Sequence, residues 1–584
     1  MQTKKVLKYL AKHSTLAQRL YRAYRRAQRS AQDPDWTKML GTDGQWERAR
    51  EAAKNGPVVL LATSAGGHVE APIIDTLLAV ALTQRGASVK FLLCDSFLPA
   101  CHLCEIGLVA PGGFSRRGPQ GYFCNGCFDR GNRLYGQLGL TVLRYSSYVS
   151  AEEKRQAEEL SASTPEAALA TLSLDGVNVG EHALAGTLRY FARANLEGQS
   201  QSTPILRRYL QGAILTSTVV RNVIQREKVG VVCVNHGIYV PHGLVAETAR
   251  KQNVRVVAWN VAYRKRSFIF SHDETYHHSL MTEPVSEWTK MKWTDQQEKE
   301  VENYLRSRRT GGRDWIAFHS NKSEQDMERI RERLTGFDPK KPLIGMLTNV
   351  AWDAQLHYPA NAFSDMLDWI EQTIQYFTKR PDLQLVIRIH PAEVSGDIPS
   401  RQPVSEEIRR AFPVLPKNIF VIAPDELIST YPLMEACDSV LIYGTKTGVE
   451  LATLGIPVIV AGEAWIRGKG IATEASSVQE YFAMLDRLPR GARLSAEQVR
   501  RAKQYAYHFF FRRMIPVDQL CERQGEPKFT IEVKHATDLA PGKSGGLDVI
   551  CDGILRGTPF TYRAEMSTAA AAKSVAAAPA TGGP

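Results

Sequence analysis

Residues 436–462 read ACDSVLIYGTKTGVELATLGIPVIVAG, and few folds accommodate that order of segments. The apolar run at 439–443 fits a buried parallel strand. The polar turn Gly444-Thr445-Lys446-Thr447-Gly448 follows, then a helical segment that carries Glu450 and stops at Gly455. A second apolar run, 457–461, closes a strand–helix–strand unit. Such a turn is an anion site in principle, because glycine lets backbone amides approach a ligand and a helix start directs N–H groups and a positive dipole end at it. Lys446 adds a cation, Thr445 and Thr447 add hydroxyls, and Glu450 is placed to accept hydrogen bonds from a ribose diol. An ordinary doubly wound crossover that happens to hold a lysine accounts for the same residues.

A second stretch favours function. Residues 385–393, LVIRIHPAE, form an apolar strand ending in Arg388, His390 and Glu393. In an open parallel sheet, ligands bind outside the carboxyl ends of the strands, where both motifs sit. The segment Thr348-Asn349-Val350-Ala351-Trp352-Asp353 follows a strand at 343–347 and reaches the same rim. Arg467 and Lys469, after the run 458–461, are either a second phosphate contact or solvated charges.

The first half repeats the texture. A strand at 58–62 leads into Thr63-Ser64-Ala65-Gly66-Gly67-His68, a helix at 72–84, a turn at Gly86 and a strand at 89–94. The glycine pair allows close approach of a substrate to backbone. His68 is placed as a general base, since imidazole titrates near working pH, or as a helix-start residue bonded to backbone. His236, beside Gly237 at the end of a strand at 231–234, has the same placement. His242 lies a few residues on, and a further strand runs over 254–259.

A chain of 584 residues exceeds one core. The expected layout is a basic helical arm and linker over 1–55 and an N-terminal Rossmann-like domain over 56–320. A C-terminal nucleotide-binding domain with a return helix follows over 321–515, then an extension over 516–584 that ends in a disordered alanine-rich tail. Net charge is +12, yet residues 1–30 hold nine Lys/Arg and no acid, and the other 64 basic residues face 61 acidic ones. That balance argues against a nucleic-acid partner. The arm, with Val6, Leu7, Leu10, Leu16, Leu20, Tyr21 and Tyr24 interspersed, suits an anionic membrane surface or a packed, solvated helix. No run of about 18 apolar residues occurs. With no signal-peptide core at the N-terminus, the expected location is cytoplasmic, peripheral to the inner membrane face.

Four of nine cysteines form a pattern, Cys101-x-x-Cys104 and Cys124-x-x-Cys127, nineteen residues apart. Two such pairs predict a structural zinc site with four thiolates, or an iron–sulfur cluster on the same ligands, in an insert over 94–131. Four thiolates leave no open position, so this metal has no catalytic role. No convincing Asp-x-Asp pair for a catalytic divalent ion occurs.

Two α/β halves, a Gly-Gly-His loop, a His-Pro motif and a G-x3-G-x-E helix start together resemble a GT-B glycosyltransferase. Within that class the chain is most similar to bacterial capsule and surface-polysaccharide biosynthesis proteins, over roughly 57–515. TNVAWD, IRIHPAE, ISTY and IYGTKTGVELATLGIPVIVAGE carry the resemblance. It implies a nucleotide-sugar donor in the C-terminal half and a polysaccharide or lipid-linked acceptor in the N-terminal half. It further implies Arg388 and His390 at donor phosphate, Thr445, Lys446, Thr447 and Gly448 as its cradle, and Glu450 at the ribose. His68 matches the first-loop histidine that some of these enzymes use as acceptor base. The His-Pro motif is also similar to transferases using CMP-activated acidic sugars. His236 and Asp353 complete the candidate catalytic set, and Glu393 the nucleotide set. The cysteine insert and basic arm are not part of the general pattern. Other readings are a sugar-nucleotide 2-epimerase, a CDP-polyol phosphotransferase, or a non-catalytic metal-stapled scaffold.

Overall fold

The computed structural model describes residues 32–565 except 120, 310, 317–322, 354–358 and 524. The basic arm 1–30 and the tail from 566 lie outside the described residues. Apolar runs bounded by glycine turns become strands because each can bury both faces under flanking helices. In the first domain these are β1 (Val58–Ser64), β2 (Ser88–Leu93), β3 (Thr141–Arg144), β4 (Val231–Asn235), β5 (Arg255–Val261) and β6 (Ser267–His272). The second contributes β7 (Leu343–Leu347), β8 (Gln384–Arg388), β9 (Ile419–Ile422), β10 (Ser439–Ile442), β11 (Val458–Val460) and β12 (Thr473–Glu474). β13 (Ile515–Pro516) lies in the return segment.

The first sheet runs β13-β6-β5-β4-β1-β2-β3, with β6 and β13 antiparallel to their neighbours and the rest parallel. The second, β12-β11-β10-β7-β8-β9, is parallel throughout. Each is covered by helices on both faces, which gives two packed cores per sheet. This is the two-domain α/β architecture with parallel sheets that the sequence implies.

The polar stretch 33–55, expected as a linker, instead carries helices Trp36–Met39 and Gln45–Ala53. Trp36 and Trp46 are buried in the first-domain core, and Asp33 pairs with Arg130 at 2.7 Å. Two tryptophans bury enough apolar surface to dock a segment whose remaining residues are polar.

The cysteine insert carries helices of its own. Over 94–131 the chain forms helices Pro111–Arg117 and the start of Gly121–Gly136, held by Phe114, Leu134 and Tyr135 in the cores. Cys104 is buried among apolar side chains, and Cys127 Sγ accepts a bond from the Gly67 amide at 3.0 Å. Among the described residues, which include Cys101, Cys104, Cys124 and Cys127, no three His, Cys, Asp or Glu side chains form a metal-binding group. As placed here, the four thiols do not form the ligand set that a zinc or iron–sulfur staple needs.

The chain ends on the first domain. Helix Ala496–Tyr507 packs in the second domain and continues as a wider π-helical turn, His508–Arg513, before β13 joins β6. Helix Gly545–Arg556 then covers helix Ala71–Thr83, all thirteen residues of which are buried. No helix among the described residues is long and apolar enough to cross a membrane.

Candidate functional site

The carboxyl ends of β4 and β5 face those of β7, β8 and β10 across a cleft. The chain leaves each strand as a loop, and those loops line a cavity of about 390 Å³. From the first domain come His236, Asn260, Tyr263, Tyr276 and His277; from the second come Thr348, Asn349, Asp353, Arg388, His390 and the Thr445–Lys446–Thr447 turn. A second hollow of about 280 Å³ adjoins it, lined by His68, His102, Arg189, Tyr239, His242 and Trp352 among others. His236, Val350, Asp353 and Ala392 line both, so these residues mark a waist between the two.

The turn after β10 is held by its own side chains. Thr445 Oγ1 accepts from the Thr447 amide at 3.3 Å and bonds the Thr447 hydroxyl at 3.2 Å. The Gly444 amide donates to Asn349 Oδ1 at 3.4 Å. Lys446 Nζ lies 4.7 Å from the Tyr263 ring centroid and 3.1 Å from Glu450. Burial, with Arg308 nearby, lowers the lysine's pKa.

His390 donates its amide to Thr348 Oγ1 at 3.1 Å and accepts the Ala392 amide on Nδ1 at 3.1 Å. That bond leaves the neutral ring's proton on Nε2. Arg388 lines the same cavity but donates to the carbonyls of Ala423 and Glu426, the latter at 3.2 Å, and so also fixes the loop after β9. Its Nε, buried, has no partner among the described residues.

Three expected nucleotide contacts lie elsewhere. Glu450 does not line the cavity. It sits behind Lys446, bonded by Arg308 at 3.1 Å and by the Tyr431 hydroxyl at 2.6 Å. Burial raises its pKa, but Arg308 and Lys446 outweigh that and hold it at about 2. A carboxylate so bound anchors the turn, and a ribose would have to break those bonds to reach it. Glu393 is buried and caps the Val404 amide, with burial raising its pKa to about 7. Gly448 packs inward, where an added Cβ would lie 2.6 Å from Ile442 Cδ1. Arg467 holds the carbonyls of Gly462 and Ala475, while Lys469 holds those of Met281 and Glu283, so neither reaches the cavity.

In the Gly-Gly-His loop the first glycine is needed for packing. An added Cβ on Gly66 would lie 2.4 Å from the Cys127 carbonyl oxygen and 2.7 Å from Gly131 Cα, so the loop fits against helix Gly121–Gly136 only with glycine there. His68 Nδ1 accepts the amides of Glu70 and Ala71 at 3.4 and 3.2 Å, at the start of helix Ala71–Thr83. Its proton therefore sits on Nε2, and the ring faces the smaller hollow as a donor. Burial first, then nearby cations and imidazoles, pushes its pKa down to about 3.

His236 holds a left-handed backbone (φ 65°) at the end of β4, which turns its ring into the waist. Burial lowers its pKa against the opposing pull of Asp353. Asp353, exposed at the waist, accepts from the Tyr239 hydroxyl at 2.9 Å.

Sequence reasoning missed several lining residues. Tyr263, Tyr276 and Trp465 stand in no motif that marks them. His277 and His278 form a visible pair after β6 that carried no other signal. Glu463 lies at the base of the cavity, where its carboxylate meets His278 Nε2 at 3.1 Å.

No family model matches the chain, and no curated protein does. Solved structures it is similar to include KpsC, beta Kdo 2,4 transferase, from Thermosulfurimonas dismutans, at 14% identity and TM-score 0.31, covering 48% of this chain and 79% of that one. UDP-GlcNAc 2-epimerase from Neisseria meningitidis, bound to UDP-GlcNAc, is similar at 10% identity and TM-score 0.23 over 77% of this chain and 97% of that one. A glycosyltransferase from Rickettsia africae is similar at 8% identity and TM-score 0.24 over 86% of this chain and all (100%) of that one.

Proposed function

We propose that the protein is a glycosyltransferase that takes a sugar from a nucleotide donor bound in the larger hollow and passes it to a surface-polysaccharide or glycolipid acceptor in the smaller one. What supports this reading is that Arg388, His390, Lys446 and the Thr445 and Thr447 hydroxyls line one hollow, which meets a second at His236 and Asp353. In the transfer the acceptor oxygen bonds the anomeric carbon and the bond from that carbon to the nucleotide's phosphate oxygen breaks. The electron pair leaves on the phosphate. Lys446, the His390 Nε2–H and the Thr445–Thr447 turn meet that growing negative charge with fixed donors in a partly dry site. Asp353, at the waist beside His236, takes the acceptor's proton. Arg388 steadies the loop at the cavity's edge. The basic residues 1–30 would hold the protein at an anionic membrane surface, where such acceptors reside.

The test is a thermal-shift series on the full chain with UDP, GDP, CMP, CDP and their sugars. A donor nucleotide raises the midpoint with concentration, as a folded-state ligand must, and Lys446→Ala removes the rise. No shift with any nucleotide would defeat the reading. A nucleotide sugar altered at its own carbon 2, without an acceptor, would replace transfer by epimerisation.

A further inference from the structure

The smaller hollow contains a cation that donor binding does not use. Arg189, on helix Val179–Phe191, places its guanidinium 5.5 Å from the ring centroid of Tyr239 and 5.9 Å from that of Trp352. Among the described residues its side chain makes no hydrogen bond and no ion pair, whereas Arg130, Arg308, Arg388, Arg467 and Arg513 all donate to carbonyls or carboxylates. Stacking on ring faces leaves a guanidinium's edge N–H groups, which match planar oxyanions in pairs.

Imidazoles complete the wall. His102 is 6% exposed, and neither of its ring nitrogens has a partner among the described residues. Its ring lies 4.3 Å from that of His242 and 5.9 Å from that of His68. His242 is fixed by the Thr63 carbonyl at 2.7 Å from Nε2, and His68 by the two amides on Nδ1. Burial lowers the pKa of all three, so each is a neutral ring that still donates one N–H. Two carboxylates also line the hollow. Asp353 takes the Tyr239 hydroxyl at the waist, and Asp397 is exposed at the outer rim.

We propose that this hollow is an oxyanion subsite, in which Arg189, His102 and His68 bind a carboxylate or phosphate carried by the acceptor. Only the word acceptor rests on the transfer reading; the binding of an acidic group does not. The neutral histidines supply directed N–H groups, and the stacked guanidinium supplies the charge. An acidic group seated there directs the rest of its molecule toward His236 and Asp353.

The experiment is saturation-transfer NMR on the full chain with D-glucuronate and D-glucose as probes and inorganic phosphate as competitor. The expected result is transfer to glucuronate, none to glucose, and displacement by phosphate. Arg189→Gln and His102→Gln each weaken glucuronate binding tenfold or more while the nucleotide thermal shift persists, and Lys446→Ala does the reverse. Arg189→Lys, which keeps the charge but loses the planar edge, serves as the second variant where Arg189→Gln melts early, and it too binds more weakly. Equal transfer to glucose, no transfer to either probe, or unchanged binding in Arg189→Lys and His102→Gln overturns the subsite. Glucuronate binding with no nucleotide shift in the unaltered protein leaves the subsite standing and sinks the transfer reading alone.

Discussion

Lys446 does not work alone. Its ammonium shares Glu450 with Arg308, and Arg308 also pairs with the buried Asp314, so one lining cation rests on a buried polar network. Removing one partner strands the others without water. Arg308→Met is expected to destabilise the protein by about 3–5 kcal/mol, read from the shift in denaturant midpoint, because Glu450 and Asp314 lose their shared cation. His278 offers a test by pH. Its side chain lies between Glu274 and Glu463, which raise its pKa from 6.5 to about 9. The folded state therefore binds this proton more tightly than the unfolded chain does. Its stabilising contribution is complete below pH 6.5 and is lost as pH rises through 9. A loss of about 1–3 kcal/mol across that window, absent in His278→Gln, is the expected outcome of chemical denaturation at each pH. Residue types at strand ends were legible from sequence because strand–turn–helix texture places them on the rim. Their partners were not: Arg308 lies 142 positions from Glu450, and nothing local marks it.

At the scale of elements, the glycine loop after β1 shows how one motif carries two readings. The pair Gly66-Gly67 beside a histidine reads as a substrate loop, yet the neighbour that excludes a Cβ is helix Gly121–Gly136. Gly66→Ala is expected to cost about 1–3 kcal/mol in equilibrium denaturation, since backbone atoms must shift to admit the methyl. Gly113→Ala, in helix Pro111–Arg117 with nothing within 4 Å of its added Cβ, serves as the control and leaves stability unchanged or raises it by about 0.5–1 kcal/mol. The cysteine spacing carries two readings for a related reason. A repeated C-x-x-C matches metal ligation and also matches residues one helical turn apart, and Cys124 and Cys127 share one helix. Spacing cannot separate these readings; convergence of side chains can.

For the whole molecule, the return of the chain decides stability and completes the first sheet. Arg513 donates to the carbonyls of Phe560 and Phe270 at 2.6 and 3.2 Å and lies 3.3 Å from Glu283, which ties the return segment to the first domain. Ile515, Leu547, Ile550 and Ile554 enter that domain's core. A chain ending at Met514 uncovers helix Ala71–Thr83 and the edge of β6. Limited proteolysis mapped by mass spectrometry should then find early cuts in the first domain and later ones in the second. Contacts between the two halves are both apolar and polar: Ala262, Ile269 and Trp288 share a core with Leu347, Trp465 and Tyr505, Arg401 donates its amide to the Ala192 carbonyl at 2.9 Å, and Gln402 accepts the amides of Ala194 and Asn195. By itself the sequence determined the alternation of strand and helix, the two sheets, and which polar residues stand at strand ends, because these follow from periodicity and glycine punctuation within a few residues. Only the tertiary structure decided which of those residues share a hollow, which carboxylates are consumed as anchors, and that Arg189 and His102 face a common space. Those outcomes depend on contacts between segments that are separate in the chain, as with Arg308 and Glu450, or that lie in different domains, as with Arg189 and Trp352, and no local pattern encodes them.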